Sequence, residues 1–391
     1  MKEQPETLYI HGKDQHTEFY GSLSLPIYQT STFSFPTAED GERRFAGEDQ
    51  GYIYSRLGNP TVQALEERIA SAEGGEKGLA FASGMAATSA ILTSLTKAGS
   101  HILCSNGIYG CTYGLLSLLK EKYNITHDFL DMRDAQEIAD RIQPETSCIF
   151  IETPINPTMR IIDLKMIADL AHEYNLPVVV DNTFASPYLQ QPLQHGCDVV
   201  VHSATKYLNG HGDVIGGVAV GKQSFMDEVA KTVRKDGGGT MAPFDAWLLL
   251  RGLKTLHVRM ERHCYNAKRI AAQLKQHHRI REVFYPTDAS HPDQSIAMKQ
   301  MTEGGGVVTF TIEGSKKDAM SVMNHLNLVK IAVSLGDAET LIQHPATMTH
   351  STIPPSEREK MGVNDSMVRL SVGLEAWEDV WKDLEQALNR L

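Results

Sequence analysis

Three short apolar runs, Ser147–Ile151, Pro177–Val180 and Cys197–His202, each give way at once to a polar residue: Glu152, Asp181 and Ser203. Runs this short and this apolar suit strands buried on both faces of a parallel sheet. Helical patterns lie between the first two runs (Leu164–Tyr174) and just before the first (Ala135–Ile142). Upstream, Thr61–Ala72, Met85–Lys97 and Cys111–Lys122 read as helices, and Gly78–Ala82, His101–Cys104 and Ile125–Leu130 as strands. Val214–Val220 follows as a Gly-interrupted strand. The alternation predicts an α/β fold, with a mostly parallel sheet covered by helices. Ligands of such sheets bind outside the carboxyl ends of the strands. Glu152, Asp181, Ser203, Thr205 and Lys206, with Ser83 and Gly84 after GLAFA, are therefore expected to converge on one crevice.

The flanks read differently. Residues 1–58 mix polar, aromatic, Pro and Gly residues without periodicity, as in an extended arm that packs on another part of the fold or on a neighbouring subunit. Beyond Pro243, Phe244–Leu274 reads as one long helix or two, with Gly252 as the interruption. Arg281–Phe284, Gly306–Ile312, Val329–Val333 and Met367–Val372 read as strands, and Ala319–His325 and Ala376–Leu391 as helices. This mixture predicts a smaller α+β domain with an antiparallel sheet, so the expected division is 1–58, 59–251 and 252–391. Thr347–Asn364, polar and with a Pro pair, reads as a surface loop.

Composition narrows the function classes. A chain of 391 residues, 41% hydrophobic and 22% charged, is an ordinary globular protein and not a disordered or collagen-like one. A net charge of −11 disfavours binding to nucleic acid or to an anionic membrane. No window approaches the roughly 18 apolar residues of a membrane span. The N-terminus lacks the apolar stretch of a secretory signal. Five scattered cysteines show no metal-binding spacing. A cytoplasmic protein with reduced thiols is expected.

Lys206, in HSATKYLNGHGD, is the centre of the chemical reading. A lysine just past a buried strand is partly desolvated, which favours the neutral, nucleophilic amine; taken alone, it reads more readily as a surface or ion-paired residue, as most lysines are. Ser203 and Thr205 offer hydroxyls for an anion, or turn chemistry. Ser83-Gly84-Met85 opens a helix, whose free N–H groups attract anions. Asp181 suits a protonated ring nitrogen, or an N-cap. Together these parts match what pyridoxal 5′-phosphate needs: an amine, an acid and a phosphate cradle. Neither the GxGxxG nor the GxxxxGK[ST] pattern is present, which argues against a nicotinamide dehydrogenase.

Long matching runs carry the argument further. YSRLGNPT (Tyr54–Thr61), SGMAA (Ser83–Ala87), ETPINPT (Glu152–Thr158), VVVDNTFASP (Val178–Pro187), HSATKYLNGHGDVIGG (His202–Gly217), AVSLGDAETLIQHPATMTHS (Ala332–Ser351) and VRLSVGLE (Val368–Glu375) span nearly the whole chain. In these the sequence closely resembles the Cys/Met-metabolism family of pyridoxal-phosphate enzymes, of fold type I. The resemblance implies that Lys206 bonds the cofactor and that Asp181 pairs with its ring nitrogen. Ser203, Thr205 and the N–H groups of Gly84 and Met85 would hold the phosphate, with Tyr54 and Arg56 reaching it from a neighbouring subunit. Tyr109 would stack on the ring and protonate the leaving group. Arg369, Ser334 and Asn156 would bind the substrate α-carboxylate. A site shared in this way implies a dimer, and the family usually forms a tetramer as a dimer of dimers.

The family spans γ-lyases, β-lyases and γ-replacement enzymes. Cys111, two residues after Tyr109, and the Lys235-Asp236 pair expected near the substrate entrance resemble its methionine-cleaving members. Val333 stands where cystathionine-cleaving members carry a glutamate. Gly237-Gly238-Gly239, Phe244 and Trp247 depart from the commonest pattern. The resulting expectation is α,γ-elimination of L-methionine to methanethiol, 2-oxobutyrate and ammonia, with Cys111 counted among the catalytic residues and Lys235 and Asp236 among those binding substrate. Cystathionine or homocysteine cleavage and O-acyl-homoserine sulfhydrylation are the enzymatic alternatives. A cofactor-binding regulator would need a nucleic-acid module that this chain does not show.

Overall fold

The computed structural model describes residues 4–12, 21–351 and 353–391. Seven strands form the larger sheet: β1 (Lys77–Phe81), β2 (His101–Ser105), β3 (Thr126–Leu130), β4 (Thr146–Glu152), β5 (Val178–Asp181), β6 (Val199–Ser203) and β7 (Gly217–Gly221). Their order is β1-β7-β6-β5-β4-β2-β3. The pairs β6–β5–β4–β2–β3 are parallel, and β7 runs against both of its neighbours. Val178, Val179 and Val180 are fully buried, because apolar residues project from both faces of the sheet into separate cores. The expected mostly parallel α/β sheet is present.

The second sheet comprises β8 (Ile280–Phe284), β9 (Val307–Ile312), β10 (Lys330–Ile331), β11 (Leu341–Gln343) and β12 (Met367–Ser371), in the order β10-β11-β12-β9-β8. It is antiparallel except for the parallel β10–β11 pair. The expected Val329–Val333 strand shrinks to two residues, and its sheet partner β11 had no clear signal. Helices Leu256–Gln276, Lys316–Asn324 and Trp377–Leu388 cover one face with a shared apolar core.

Several local expectations are corrected. The N-terminal region is not irregular throughout, since helices form at Pro5–His11 and Ala38–Ala46. The latter is fixed by a reciprocal Thr37–Asp40 capping box and a left-handed Gly47, a device whose loss costs about 1 kcal/mol. The long helix breaks at Lys254–Thr255, between Pro243–Leu253 and Leu256–Gln276, and not at Gly252. Gly252 lies inside the first of the two helices and serves close packing, since a Cβ there would lie 2.4 Å from the carbonyl oxygen of Asn209. Within the expected surface loop, Pro355–Lys360 is helical, opened by a proline at its first turn.

Candidate active site

The carboxyl ends of β4, β5 and β6 open on a cavity of about 1010 Å³. Its wall includes Glu152, Asp181, Ser203, Thr205 and Lys206, as the strand-end argument anticipates. The start of the Gly84–Leu95 helix closes one side. Ser83 caps that helix by accepting a hydrogen bond from Ala86 N–H at 3.0 Å. The helix end can come so close only because side chains are missing. A Cβ on Gly84 would lie 2.8 Å from Ser203 Cβ, and one on Gly217 would lie 2.0 Å from the Ser83 carbonyl oxygen. Gly84, Met85, Ser203 and Thr205 thus face one space. Free N–H groups, a helix dipole and the hydroxyls of Ser203 and Thr205, the latter also bonded to the Gly216 backbone at 3.0 and 3.3 Å, suit an anion.

Lys206 is largely buried, and its Nζ donates to Ser334 Oγ at 2.9 Å. Burial, with Arg369 nearby, pulls its pKa below the ordinary lysine value, while Asp337 acts in the opposite direction. The net shift favours the neutral amine, the form that condenses with an aldehyde. Asp181 ends β5 half-buried, and desolvation raises its pKa above the ordinary carboxylate range. Thr183 N–H and Thr183 Oγ1–H both donate to Asp181 Oδ1, at 3.0 and 2.5 Å. Thr183 Oγ1 also accepts from Ser203 N–H at 2.8 Å, so one hydroxyl ties the ends of β5 and β6. A half-buried carboxylate, a desolvated lysine and a place for an anion within one cavity fit pyridoxal 5′-phosphate.

Arg369, on β12, enters the same cavity from the second sheet. Its guanidinium donates to Asn156 Oδ1 at 2.9 Å and to the Ser334 carbonyl at 2.8 Å. Burial lowers its pKa to about 10, so it stays a cation at neutral pH. Tyr109 precedes the Gly110–Tyr123 helix and lines the cavity beside Cys111. Its phenol is pushed up to about 12, by burial first and then by Cys111, and is protonated at neutral pH. Val333, Ile215 and Met348 are apolar members of the lining, the first two largely exposed.

Four expected residues are not brought to this cavity within one subunit. Tyr54 is exposed, with Arg56 packed over its ring at 5.5 Å. Arg56 donates to the Lys235 carbonyl at 2.6 Å. Lys235 pairs with Asp236 at 3.5 Å, and both side chains are exposed. Conversely, Thr183, Phe184 and Gln343 gain places that the sequence reading did not assign. Phe184 packs against the Arg369 guanidinium at 5.9 Å. Gln343 lies opposite Arg369 in the β11–β12 register, where its amide, oriented with the oxygen toward the guanidinium, accepts from it at about 3.0 Å. The only sequence signal for Thr183 is its place two residues beyond the Asp181 strand end.

Fold and cavity together define a pyridoxal-phosphate enzyme of fold type I. The chain belongs to the family described as "Cys/Met metabolism PLP-dependent enzyme", whose model matches residues 6–389. Among its relatives, the L-methionine gamma-lyase of Fusobacterium nucleatum subsp. nucleatum is 48% identical over 374 residues, 95% of each chain. That of Porphyromonas gingivalis is 47% identical over 387 residues, 98% of this chain and 97% of its own. The crystal structure of cystathionine gamma-lyase from Lactobacillus plantarum complexed with L-serine superposes with a TM-score of 0.92 at 41% identity, covering 99% of both chains. The protein is a pyridoxal-phosphate-dependent lyase. Among the described residues, no helix is long and apolar enough to cross a membrane.

Proposed function

We propose that the protein catalyses α,γ-elimination of L-methionine, with water giving methanethiol, 2-oxobutyrate and ammonia. The observation that carries this reading is a cavity lined both by a polar set, Lys206–Ser334 and Arg369–Asn156, and by the apolar side chains of Val333, Ile215 and Met348. A buried cation flanked by an amide suits an α-carboxylate, and apolar side chains suit a methyl thioether better than the charged far end of cystathionine. The similarity to L-methionine gamma-lyases supports the same substrate.

Bound pyridoxal phosphate supplies an electron sink for the charge left when protons are removed from the substrate carbons. The chain's residues do the rest. Gly84, Met85, Ser203 and Thr205 would grip the phosphate, and Asp181 would hold the ring nitrogen protonated. Arg369, Asn156 and Ser334 fix the substrate carboxylate, which places the Cα–H toward Lys206. The Lys206 amine would take that proton, and loss of a second proton from Cβ would supply the electron pair that expels sulfur from Cγ. Tyr109, protonated at neutral pH, delivers a proton to the departing sulfur as the Cγ–S bond breaks, with Cys111 beside its hydroxyl. Tyr54 and Arg56 of one subunit complete the phosphate site of the next in a cytoplasmic homotetramer, and Lys235 and Asp236 border the substrate entrance.

The test is a parallel kinetic series on methionine, homocysteine, cystathionine and an O-acyl-homoserine. Methionine is expected to give the highest kcat/KM, with equal yields of methanethiol and 2-oxobutyrate. A higher kcat/KM for cystathionine would move the protein to the cystathionine lyases, a reading that the Lactobacillus plantarum neighbour supports.

A further inference from the structure

Glu152 terminates β4 at 4% exposure, and its two oxygens are divided between two loops. Oε2 accepts from the Tyr109 N–H at 2.9 Å, across 43 residues of sequence. Oε1 accepts from the Asn156 N–H at 3.2 Å. The Glu152 backbone is itself anchored, because its N–H donates to Ser105 Oγ at 3.1 Å at the end of β2. Asn156 passes the link on, since its Oδ1 accepts from Arg369. A single carboxylate therefore joins the residue over the leaving group to the residues that grip the substrate carboxylate.

Burying a carboxyl group in this way costs free energy. Burial and the neighbouring Asp181 push the Glu152 pKa well above the ordinary range, and only the two N–H donors and Arg369 oppose them. A backbone N–H can be satisfied by water, a hydroxyl or a carbonyl at no such expense. A side chain that satisfies two N–H groups in different loops fixes the distance between them, which those cheaper partners do not do. Both N–H groups belong to residues whose side chains line the cavity. Effects of about a hundredfold on rate follow from displacements of about 1 Å at such positions.

We infer that Glu152 is a positioning residue, a two-armed brace that sets Tyr109 and the Asn156–Arg369 carboxylate clamp in register for one substrate. This rests on the roles proposed above for Tyr109 and Arg369. Glu152→Gln keeps the shape but turns an amide N–H₂ toward one of the two backbone donors. Glu152→Asp is one methylene short of reaching both.

The experiment compares the holoenzyme with both variants, and with Tyr109→Phe and Arg369→Ala as references. Titration with glycine, which has the carboxylate and amine but no thioether, is followed by the cofactor absorbance and reports the clamp without turnover. The kcat for L-methionine per bound cofactor reports Tyr109. The Glu152 variants are expected to weaken glycine binding and lower kcat, each at least tenfold, with cofactor content retained; Glu152→Asp alone decides if Glu152→Gln does not fold. The inference is overturned if both quantities stay within twofold of the parent, or if only melting temperature and cofactor content fall, as a purely structural role would require. If Arg369→Ala leaves glycine binding intact and Tyr109→Phe leaves kcat intact, the proposed roles fail and the brace fails with them. If those references respond and the Glu152 variants do not, the brace alone is refuted.

Discussion

At the scale of single residues, the chemistry turns on how burial is set against partnership. Lys206 has been moved toward its neutral form by desolvation, and the hydroxyl of Ser334 holds its Nζ without adding a charge. Lys206→Ala is expected to remove the absorbance band of the lysine-bound cofactor and to cut turnover by at least a thousandfold, read by spectrophotometry and 2-oxobutyrate release. Borohydride reduction followed by peptide mapping should label Lys206 in the parent. A second buried group offers a pH test. His263 is fully enclosed, its Nδ1 bonded to the Val372 carbonyl at 2.6 Å, and burial lowers its pKa to about 4. The unfolded chain takes up this proton near pH 6.5 and the folded chain does not. Stability is therefore lost as pH falls from about 6.5 toward 4, by up to about 3 kcal/mol from this group. His263→Asn, which keeps a donor but does not titrate, should show a shallower fall in urea-unfolding free energy over that window.

At the scale of elements, the site depends on a helix pressed against a sheet with nothing between them. Gly217 on β7 lets the Ser83 carbonyl approach, and so brings the first turn of the Gly84–Leu95 helix to Ser203. Gly217→Ala would place a methyl group 2.0 Å from that oxygen, so either the helix or the strand must move. A loss of about 1–3 kcal/mol in stability is expected. It should come with at least tenfold weaker cofactor retention, measured by equilibrium dialysis of the holoenzyme. The strands that carry the site were legible because apolar residues on both faces make a run that ends abruptly where the sheet does. The Ala38–Ala46 helix was less legible, since its capping box lies in a polar stretch and its apolar positions are few. The bracing role of Glu152 was not legible at all. Its partners are backbone N–H groups, which are the same for every residue type and leave no trace in a sequence.

For the whole molecule, the positions of Tyr54, Arg56, Lys235 and Asp236 away from the cavity have a direct consequence for assembly. If these residues serve a neighbour's site, a lone subunit lacks part of its phosphate grip. Two inactive variants, Arg56→Ala and Lys206→Ala, should then recover activity when co-expressed, because hybrids contain sites with both residues intact. Absence of recovery in a verified mixed oligomer would refute the shared site. No single-chain argument could reach this arrangement, since sequence spacing within one subunit says nothing about distance across an interface. The division into two sheets was legible from the change in pattern after Pro243, whereas the break at Lys254–Thr255 was hidden by helix-compatible residues on both sides.

The Asn156–Arg369 contact, finally, bears on how such enzymes can be rebuilt. One partner follows β4 and the other sits on β12, so the cavity is a joint between the two sheets and belongs to neither alone. A chimera that grafts the second sheet from a cousin inherits half of a clasp, and the graft works only where the incoming arginine finds the resident asparagine. Modular exchange in this lineage is thus limited less by whether each half folds than by whether the halves still shake hands.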